Sequence, residues 1–180
     1  MRKVIVNIAI SVDGRIVDEN NNYAWIRGDG DPSHNTEKQF DFDDFIDSCD
    51  TLIFGKRAYD DIPLETIAAF TKKRIIVLTH SHIHPDRDNV EFFDGDLSKL
   101  VQTLLSQKGK NIWVWGGASV CNILLKDNLI DTYVIGIIPT IVGKGTRLFH
   151  DDNPMRELSL VECTVNEGII VNVYTRRNNH

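Results

Sequence analysis

The chain reads as an α/β domain built on a predominantly parallel, mixed sheet of about eight strands flanked by helices, with an antiparallel hairpin at the C-terminal edge. Three observations predict this. Short β-branched runs recur along the whole chain, helical patterns fall between several of them, and the last three runs follow one another without a helix. Strands that alternate with helices need crossover connections and so lie parallel, whereas strands joined directly fold back antiparallel. The size agrees: 180 residues with 42% hydrophobic content suit one domain over 1–180, since single domains run to roughly 100–200 residues.

The elements follow in order. The first strand is 3–10, where VIVNIAI comes after a basic start. That start superficially copies a signal peptide, but Asn7 and Ser11 interrupt the apolar run and acidic Asp13 follows it in place of a small-residue cleavage site. The polar stretch 18–22 is a loop. Asp31 before Pro32 reads as an N-cap with proline at the first helical position, which predicts a helix over 32–48. Strand 51–54 leads into a short helical piece at 56–61. Strands 74–79 and 89–93 follow, then a helix at 97–107 and a strand at 111–115. The next helix, 118–128, has Ser119, Asn122 and Lys126 at spacings of three and four, one narrow polar stripe on an otherwise apolar and therefore largely buried cylinder. Strand 132–138 begins an apolar run that suits a buried strand or an interface strand. Strands 158–164 and 169–175 are joined by a turn holding Asn166, Glu167 and Gly168, the pattern of a hairpin. Residues 176–180 read as a frayed tail.

Composition excludes several function classes. The three cysteines, Cys49, Cys121 and Cys163, are odd in number, far apart and form no CxxC pair, which argues for a reducing compartment, the cytoplasm, and against a structural zinc site. A net charge of -6 with a pI near 5.4 leaves no global positive field for nucleic acid. The longest charge-free apolar segment, 132–143, contains Pro139 and falls short of the ~20 residues of a membrane helix. No GxSxG, HExxH or P-loop pattern occurs, so hydrolase and nucleoside-triphosphatase readings lack a motif.

Chemistry concentrates where strands end. In NIWVWGGASVCNILL an apolar strand runs through Gly116 and Gly117 straight into a helix. Glycines without Cβ atoms let backbone approach a ligand closely, and the free N–H groups and positive dipole end of the helix attract anions; the same pair also suits a plain tight turn. A second such turn, FGKRAY, places Lys56 and Arg57 beside Gly55, where two cations suit a phosphate or simply a solvated helix start. A third strand ends at Thr79, His80 and Ser81, with hydroxyl and imidazole groups for a phosphate or ribose. Ligands of open α/β sheets bind outside the carboxyl ends of strands, so the three ends together point to one anionic nucleotide. His80, His82 and His84 alternate, but Pro85 and the DRDN stretch end the strand. Asp29, Gly30 and Asp31 lack the closing glutamate of a calcium loop, so no metal is expected. Asp31 is an N-cap and also, with Trp25 shortly before it, a candidate for binding the nitrogen atoms of a small ring substrate.

Several of these segments together resemble the reductase domain of the riboflavin-biosynthesis deaminase-reductase family, within the dihydrofolate reductase-like superfamily. They are AISVDGRI, Trp25 with Asp31, FGKRAY, GGASVCNILLKDNLID and PTIVGKGTRLF, and they span nearly the whole chain. The resemblance implies NADPH as cofactor. Gly116 and Gly117 would contact its pyrophosphate with Ala118, Ser119 and Val120 at the helix start; Gly55, Lys56 and Arg57 would lie at its adenosine phosphate end; Thr79, His80 and Ser81 would border the adenosine. The cations favour NADPH over NADH, since the extra phosphate offers charge-assisted hydrogen bonds. The segment Ile10 to Ile16 would border the nicotinamide.

The implied reaction is hydride transfer to a small-molecule substrate, in the riboflavin pathway 5-amino-6-(5-phosphoribosylamino)uracil, with Asp13 and Asp31 as the acids on the substrate side. The resemblance also implies a homodimer. The sequence lacks the HxE and PCxxC zinc signature of the deaminase half, and its Trp25 to Asp31 spacing is one residue longer than in dihydrofolate reductases. Dihydrofolate reduction is the alternative activity, and NADPH binding without turnover a further one.

Overall fold

Alternating burial along each central strand decides how the layers assemble. The computed structural model describes residues 1–81 and 88–177. Its first half runs β1 (Val4–Ser11), β2 (Arg15–Asp18), a single 3-10 turn (Pro32–His34), α1 (Phe42–Asp47), β3 (Cys49–Gly55), α2 (Lys56–Asp60), α3 (Leu64–Ala69), β4 (Arg74–Leu78) and β5 (Val90–Phe93). The second half runs α4 (Leu97–Ser106), β6 (Asn111–Gly116), α5 (Ala118–Lys126), β7 (Thr132–Ile138), β8 (Gly145–Arg147), β9 (Leu158–Asn166) and β10 (Ile169–Arg176). Eight strands form one sheet in the order β5-β4-β3-β6-β1-β7-β10-β9. The first six in that order are mutually parallel, and β10 and β9 close the edge antiparallel.

Residues two apart on a strand share a face, and both faces are covered. Val4, Val6, Ile112 and Val114 pack with Val101 and Leu104 of α4 and Leu124 of α5. Ile5, Leu52, Phe54, Ile75 and Trp113 pack on the opposite face with Phe45 of α1, Ile67 of α3 and Phe70. Burying one such side chain contributes about 1.5–3 kcal/mol, so the parallel centre of the sheet is the stable frame. β7 is a buried interior strand between β1 and β10, with Tyr133, Val134, Ile135 and Ile138 shielded.

The structure corrects several expectations. The helix over 32–48 is two pieces. Asp31 caps the 3-10 turn and Asp41 caps α1 by accepting from the Asp44 N–H at 2.8 Å. Between them the Thr36 N–H donates to the Val165 carbonyl at 3.0 Å and its Oγ1 accepts from the Val165 N–H at 3.0 Å, so this stretch satisfies its backbone against β9. The pairing of β2 with β8 and the helix α3 had no counterpart in the sequence reading. At Gly145 φ is +147°, and a Cβ would stand 2.1 Å from the Val17 carbonyl oxygen, so the β2–β8 contact requires glycine there. The hairpin turn is the pair Glu167 and Gly168, both at positive φ, as a two-residue turn matching the strand twist demands.

Ser119 and Lys126 are exposed, but Asn122 is buried and does not share their polar surface. Arg176 ends β10, bonding the Asn128 carbonyl at 2.6 Å and pairing with Asp131, and Arg177 pairs with Glu157. The tail expectation fails for these two; residues 178–180, like His82 and His84, lie outside the described residues. Among the described residues no helix is long and apolar enough to cross a membrane.

Candidate active site

The carboxyl ends of the parallel strands lie along one edge, and there the two glycine-bearing turns meet. β3 and β6 are neighbours, with Phe54 in register with Gly116. A Cβ on Gly55 would stand 3.3 Å from Val120 Cγ2 and 3.5 Å from the Gly117 backbone nitrogen. Gly55 is therefore glycine because the second turn passes directly against it. Around Gly117 itself a Cβ would meet nothing within 4 Å, so its backbone is open to a ligand. The Gly116–Gly117 peptide is cis. Neither Gly55 nor Gly117 caps the helix it precedes with a side chain, which leaves the first N–H groups of α5 available to an anion. Ala118 and Val120 are buried and Ser119 is exposed, so the first two pack and only the serine hydroxyl faces out.

The cations differ from one another. Lys56 Nζ is held by Asp60 at 2.6 and 2.5 Å one helical turn on. Arg57 is exposed and makes no ion pair among the described residues. One strand further along, Thr79 Oγ1 accepts from the Ser81 N–H at 3.0 Å, and the exposed His80 ring meets Asp94 at 2.7 Å. The structure thus brings the Gly55 to Arg57 and Gly116 to Val120 segments together and sets Thr79 to Ser81 just past the end of the adjacent strand β4, whose Leu78 is in register with Gly55.

A cleft of about 480 Å³ opens next to this cradle and shares Gly117 with it. Ile16 of β2 lines it. Its walls are apolar and aromatic, with Trp113, Trp115, Phe42 and Tyr23 among them. The two indoles lie 4.5 Å apart between centroids, Phe45 meets Trp113 edge-on at 5.0 Å and Phe54 stacks on Trp115 at 5.2 Å, so the wall is fixed from behind. Tyr23 bridges over the cleft, its hydroxyl donating to the Asp61 carbonyl at 3.1 Å. Asn7 also lines the cleft; its backbone carbonyl accepts from Trp113 Nε1 at 3.4 Å, while its side-chain Nδ2 is buried with no hydrogen-bond partner. A buried donor left unpaired costs about 1–3 kcal/mol.

Of the substrate-side residues Asp13, Trp25 and Asp31, none is among the described residues that line the cleft. Asp31 and Trp25 do not line the cleft: Asp31 Oδ1 accepts from the Ser33 N–H at 2.9 Å, and Trp25 Nε1 donates to the Asn22 carbonyl at 3.2 Å. The backbone hydrogen bond from Ser33 lowers the Asp31 pKa. Asp13 is a loop clamp. Its carboxylate accepts from Ser11 Oγ at 2.7 Å and from the N–H groups of Val142 and Gly143 at 2.9 and 2.8 Å. The Ser11 hydroxyl first, then those backbone donors, hold its pKa well below the usual carboxylate range, which suits an anchor and not a proton donor near neutrality. Asp61 is the carboxylate among the described lining residues.

The sequence reading missed Asn7, Phe42, Asp61, Trp113 and Trp115 as site residues. A signal existed for three of them. Asn7 interrupts the apolar run of β1 at its middle, and the Trp-x-Trp spacing of β6 puts both indoles on one face. Phe42 and Asp61 carry no such signal, because they reach the cleft only through the placement of α1 and the end of α2.

Comparison with known proteins agrees with this geometry. A family model described as the RibD C-terminal domain matches residues 2–171. The uncharacterized protein YwjB of Bacillus subtilis (strain 168) is 31% identical over 154 residues, covering 83% of this chain and 84% of YwjB. The uncharacterized protein YyaP of the same organism is 28% identical, covering 96% and 94%. Among solved structures, a putative riboflavin biosynthesis protein from Shewanella sp. PV-4 superposes with a TM-score of 0.77 at 22% identity, covering 98% of this chain and 99% of that one. A diaminohydroxyphosphoribosylaminopyrimidine deaminase/5-amino-6-(5-phosphoribosylamino)uracil reductase from Thermotoga maritima gives 0.69 at 15% identity, over 98% of this chain and 57% of that chain.

Proposed function

Because the chain belongs to the RibD C-terminal domain family, we propose that it is a reductase that uses NADPH to reduce a small heterocyclic or sugar-pyrimidine acceptor. The observation that carries this reading is the contact between the Gly55 and Gly117 turns, directly beside an aromatic cleft. NADPH, when bound, supplies a hydride equivalent. Gly116, Gly117 and the first N–H groups of α5 would hold its pyrophosphate, with the Ser119 hydroxyl in reach of the same oxygens. Arg57 would take the adenosine phosphate by a charge-assisted hydrogen bond, and Thr79, His80 and Ser81 would border the adenosine. Ile16 and the indole wall would orient the reacting rings and keep water out, which is where most of the protein's contribution to such a transfer lies.

The first acceptor to test is 5-amino-6-(5-phosphoribosylamino)uracil, against 7,8-dihydrofolate under identical conditions, following the absorbance of the reduced nicotinamide. Thermal unfolding with and without NADPH accompanies it. At a hundredfold excess over Kd, binding stabilises by about 2.7 kcal/mol, or roughly 5–11 °C for a chain of this size. No shift removes the cofactor assignment. A shift with turnover of dihydrofolate alone replaces the pyrimidine reading by the folate one, and a shift without turnover of either acceptor leaves a nucleotide-binding protein. A homodimer is proposed alongside, with the exposed Leu160 and Val161 of the edge strand β9 as the apolar surface that pairing would cover; light scattering tests it.

A further inference from the structure

We propose that an arginine-lined pocket at the carboxyl end of α5 is a second anion site, one that takes the phosphate group of a small phosphate monoester. The pocket is remote from the cleft and the cradle, so neither the cofactor nor the acceptor reading bears on it. It encloses about 570 Å³ between the end of α5, the start of β7 and the end of β10, with Arg156, Arg176 and Arg177 in its lining. Sites for small molecules span roughly 300–1,000 Å³. The two ends of the nine-residue α5 lie about 13 Å apart at 1.5 Å per residue, so the pocket does not share the N–H groups beside Gly117. Its Tyr133 belongs to the core layer under α4 and α5, whereas Trp113 of the cleft belongs to the layer on the other face of the sheet.

The chain is acidic, with a net charge of -6, so three arginines on one cavity reverse its field locally and do not sample a basic surface. Each is fixed by a bond to a main-chain carbonyl: Arg156 Nη2 donates to Lys126 at 3.0 Å, Arg176 Nη1 to Asn128 at 2.6 Å and Arg177 Nη2 to Leu158 at 3.3 Å. A guanidinium carries five N–H donors, so these bonds hold the forks in place without exhausting them. Capping the carbonyls at and just past the end of α5 would account for Arg156 and Arg176 but not for Arg177, which bonds to β9 instead. Asp131 pairs with Arg176, and Glu157 meets Arg177 only at 3.5 Å with both side chains more than half exposed. Arg156 makes no ion pair among the described residues, and its charge is the one left for a ligand. A phosphate there gains charge-assisted hydrogen bonds from planar forks suited to two of its oxygens. Met155, 88% exposed beside the arginines, offers apolar surface to the carbon part of an ester, and the cavity is larger than a bare phosphate ion fills.

The test titrates the intact protein with ribose 5-phosphate and with inorganic phosphate, at constant ionic strength, by isothermal titration calorimetry. Saturable binding of the ester with a Kd of about 1 mM or tighter is expected, severalfold tighter than that of inorganic phosphate. Arg156→Gln should weaken it by about tenfold or more, and Glu157→Gln, which removes the carboxylate from the lining, should tighten it severalfold. Arg57→Ala, in the cradle, and Arg147→Gln, an exposed arginine paired with Asp151, should bind the ester as the parent does. No saturable binding of the ester, equal affinities for ester and inorganic phosphate, or parental affinity in an Arg156→Gln protein with the parental Tm would each overturn the proposal. So would parental affinity in Glu157→Gln, whether or not Arg156→Gln folds, or a loss in Arg147→Gln equal to that in Arg156→Gln. A loss in Arg57→Ala that Arg156→Gln does not share would move the anion to the cradle and overturn it too.

Discussion

Replacing Asn122 with alanine should destabilise the protein far more than any other change on the polar positions of α5. Asn122 Nδ2 donates to the Ala118 carbonyl at 2.6 Å and to the Leu148 carbonyl at 2.7 Å, and its Oδ1 accepts from the His150 N–H at 2.9 Å and from Asn153. In the variant Ala118 keeps its helical partner and the exposed His150 rehydrates. The Leu148 carbonyl, beside a side chain only 1% exposed, is left unsatisfied at about 1–3 kcal/mol, and the remaining bonds contribute about 0.5–1.5 kcal/mol each. A total of roughly 2–4 kcal/mol lowers Tm by about 4–16 °C for a chain of this length. Circular dichroism on heating measures it, with Ser119→Ala, an exposed neighbour, expected within about 0.5 kcal/mol of the parent. A shift below about 2 °C for Asn122→Ala would refute the assignment of Asn122 as the tie between α5 and the segment after β8.

Three further outcomes are expected. Gly55→Val places branched methyls against Val120 and the Gly117 backbone, so it should raise the KM for NADPH by about tenfold or more while secondary structure persists; an unchanged KM in a folded variant removes the cradle. Arg57→Ala should cost about tenfold to a hundredfold in NADPH binding and nothing in NADH binding, since a charge-assisted bond to the extra phosphate is worth about 1.5–3 kcal/mol. Equal losses for both dinucleotides would place Arg57 elsewhere. Asp13 has a depressed folded-state pKa, so the stability it contributes is present above its unfolded value of about 3.9 and is lost as pH falls toward the folded value. Asp13→Asn should therefore lower Tm at pH 7, with the gap to the parent closing below about pH 4; a gap constant from neutral to acid pH contradicts the clamp.

The frame of the fold was legible because its residues answer to one local rule. In β1, β3, β4, β6 and β7 burial on both faces demands continuous β-branched and aromatic runs, and such runs stand out in any window. The 32–48 stretch failed for the opposite reason. Asp31-Pro32 is a sound helix start, but nothing local records that Thr36 would find its backbone partner at Val165, about 130 positions away. The β2 and β8 strands are four and three residues long, too short for a periodicity, and only the glycine forced at Gly145 marks their contact. Asn122 misled because spacing on a helix reports which residues share a face and not what covers that face.

The two halves of the candidate site differ in legibility for a physical reason. A phosphate cradle is made by backbone, and backbone that approaches another segment closely leaves little room for a Cβ atom, as at Gly55; Gly55, Gly116 and Gly117 stand out in the sequence as glycines after apolar strands. An aromatic cleft is made by side chains that elsewhere would simply be core. Trp113 packs against Phe45 and Phe70 as any buried indole does and is only 2% exposed, so in the sequence it reads as core, and only the half-buried Trp115 two residues on presents aromatic surface to the cleft.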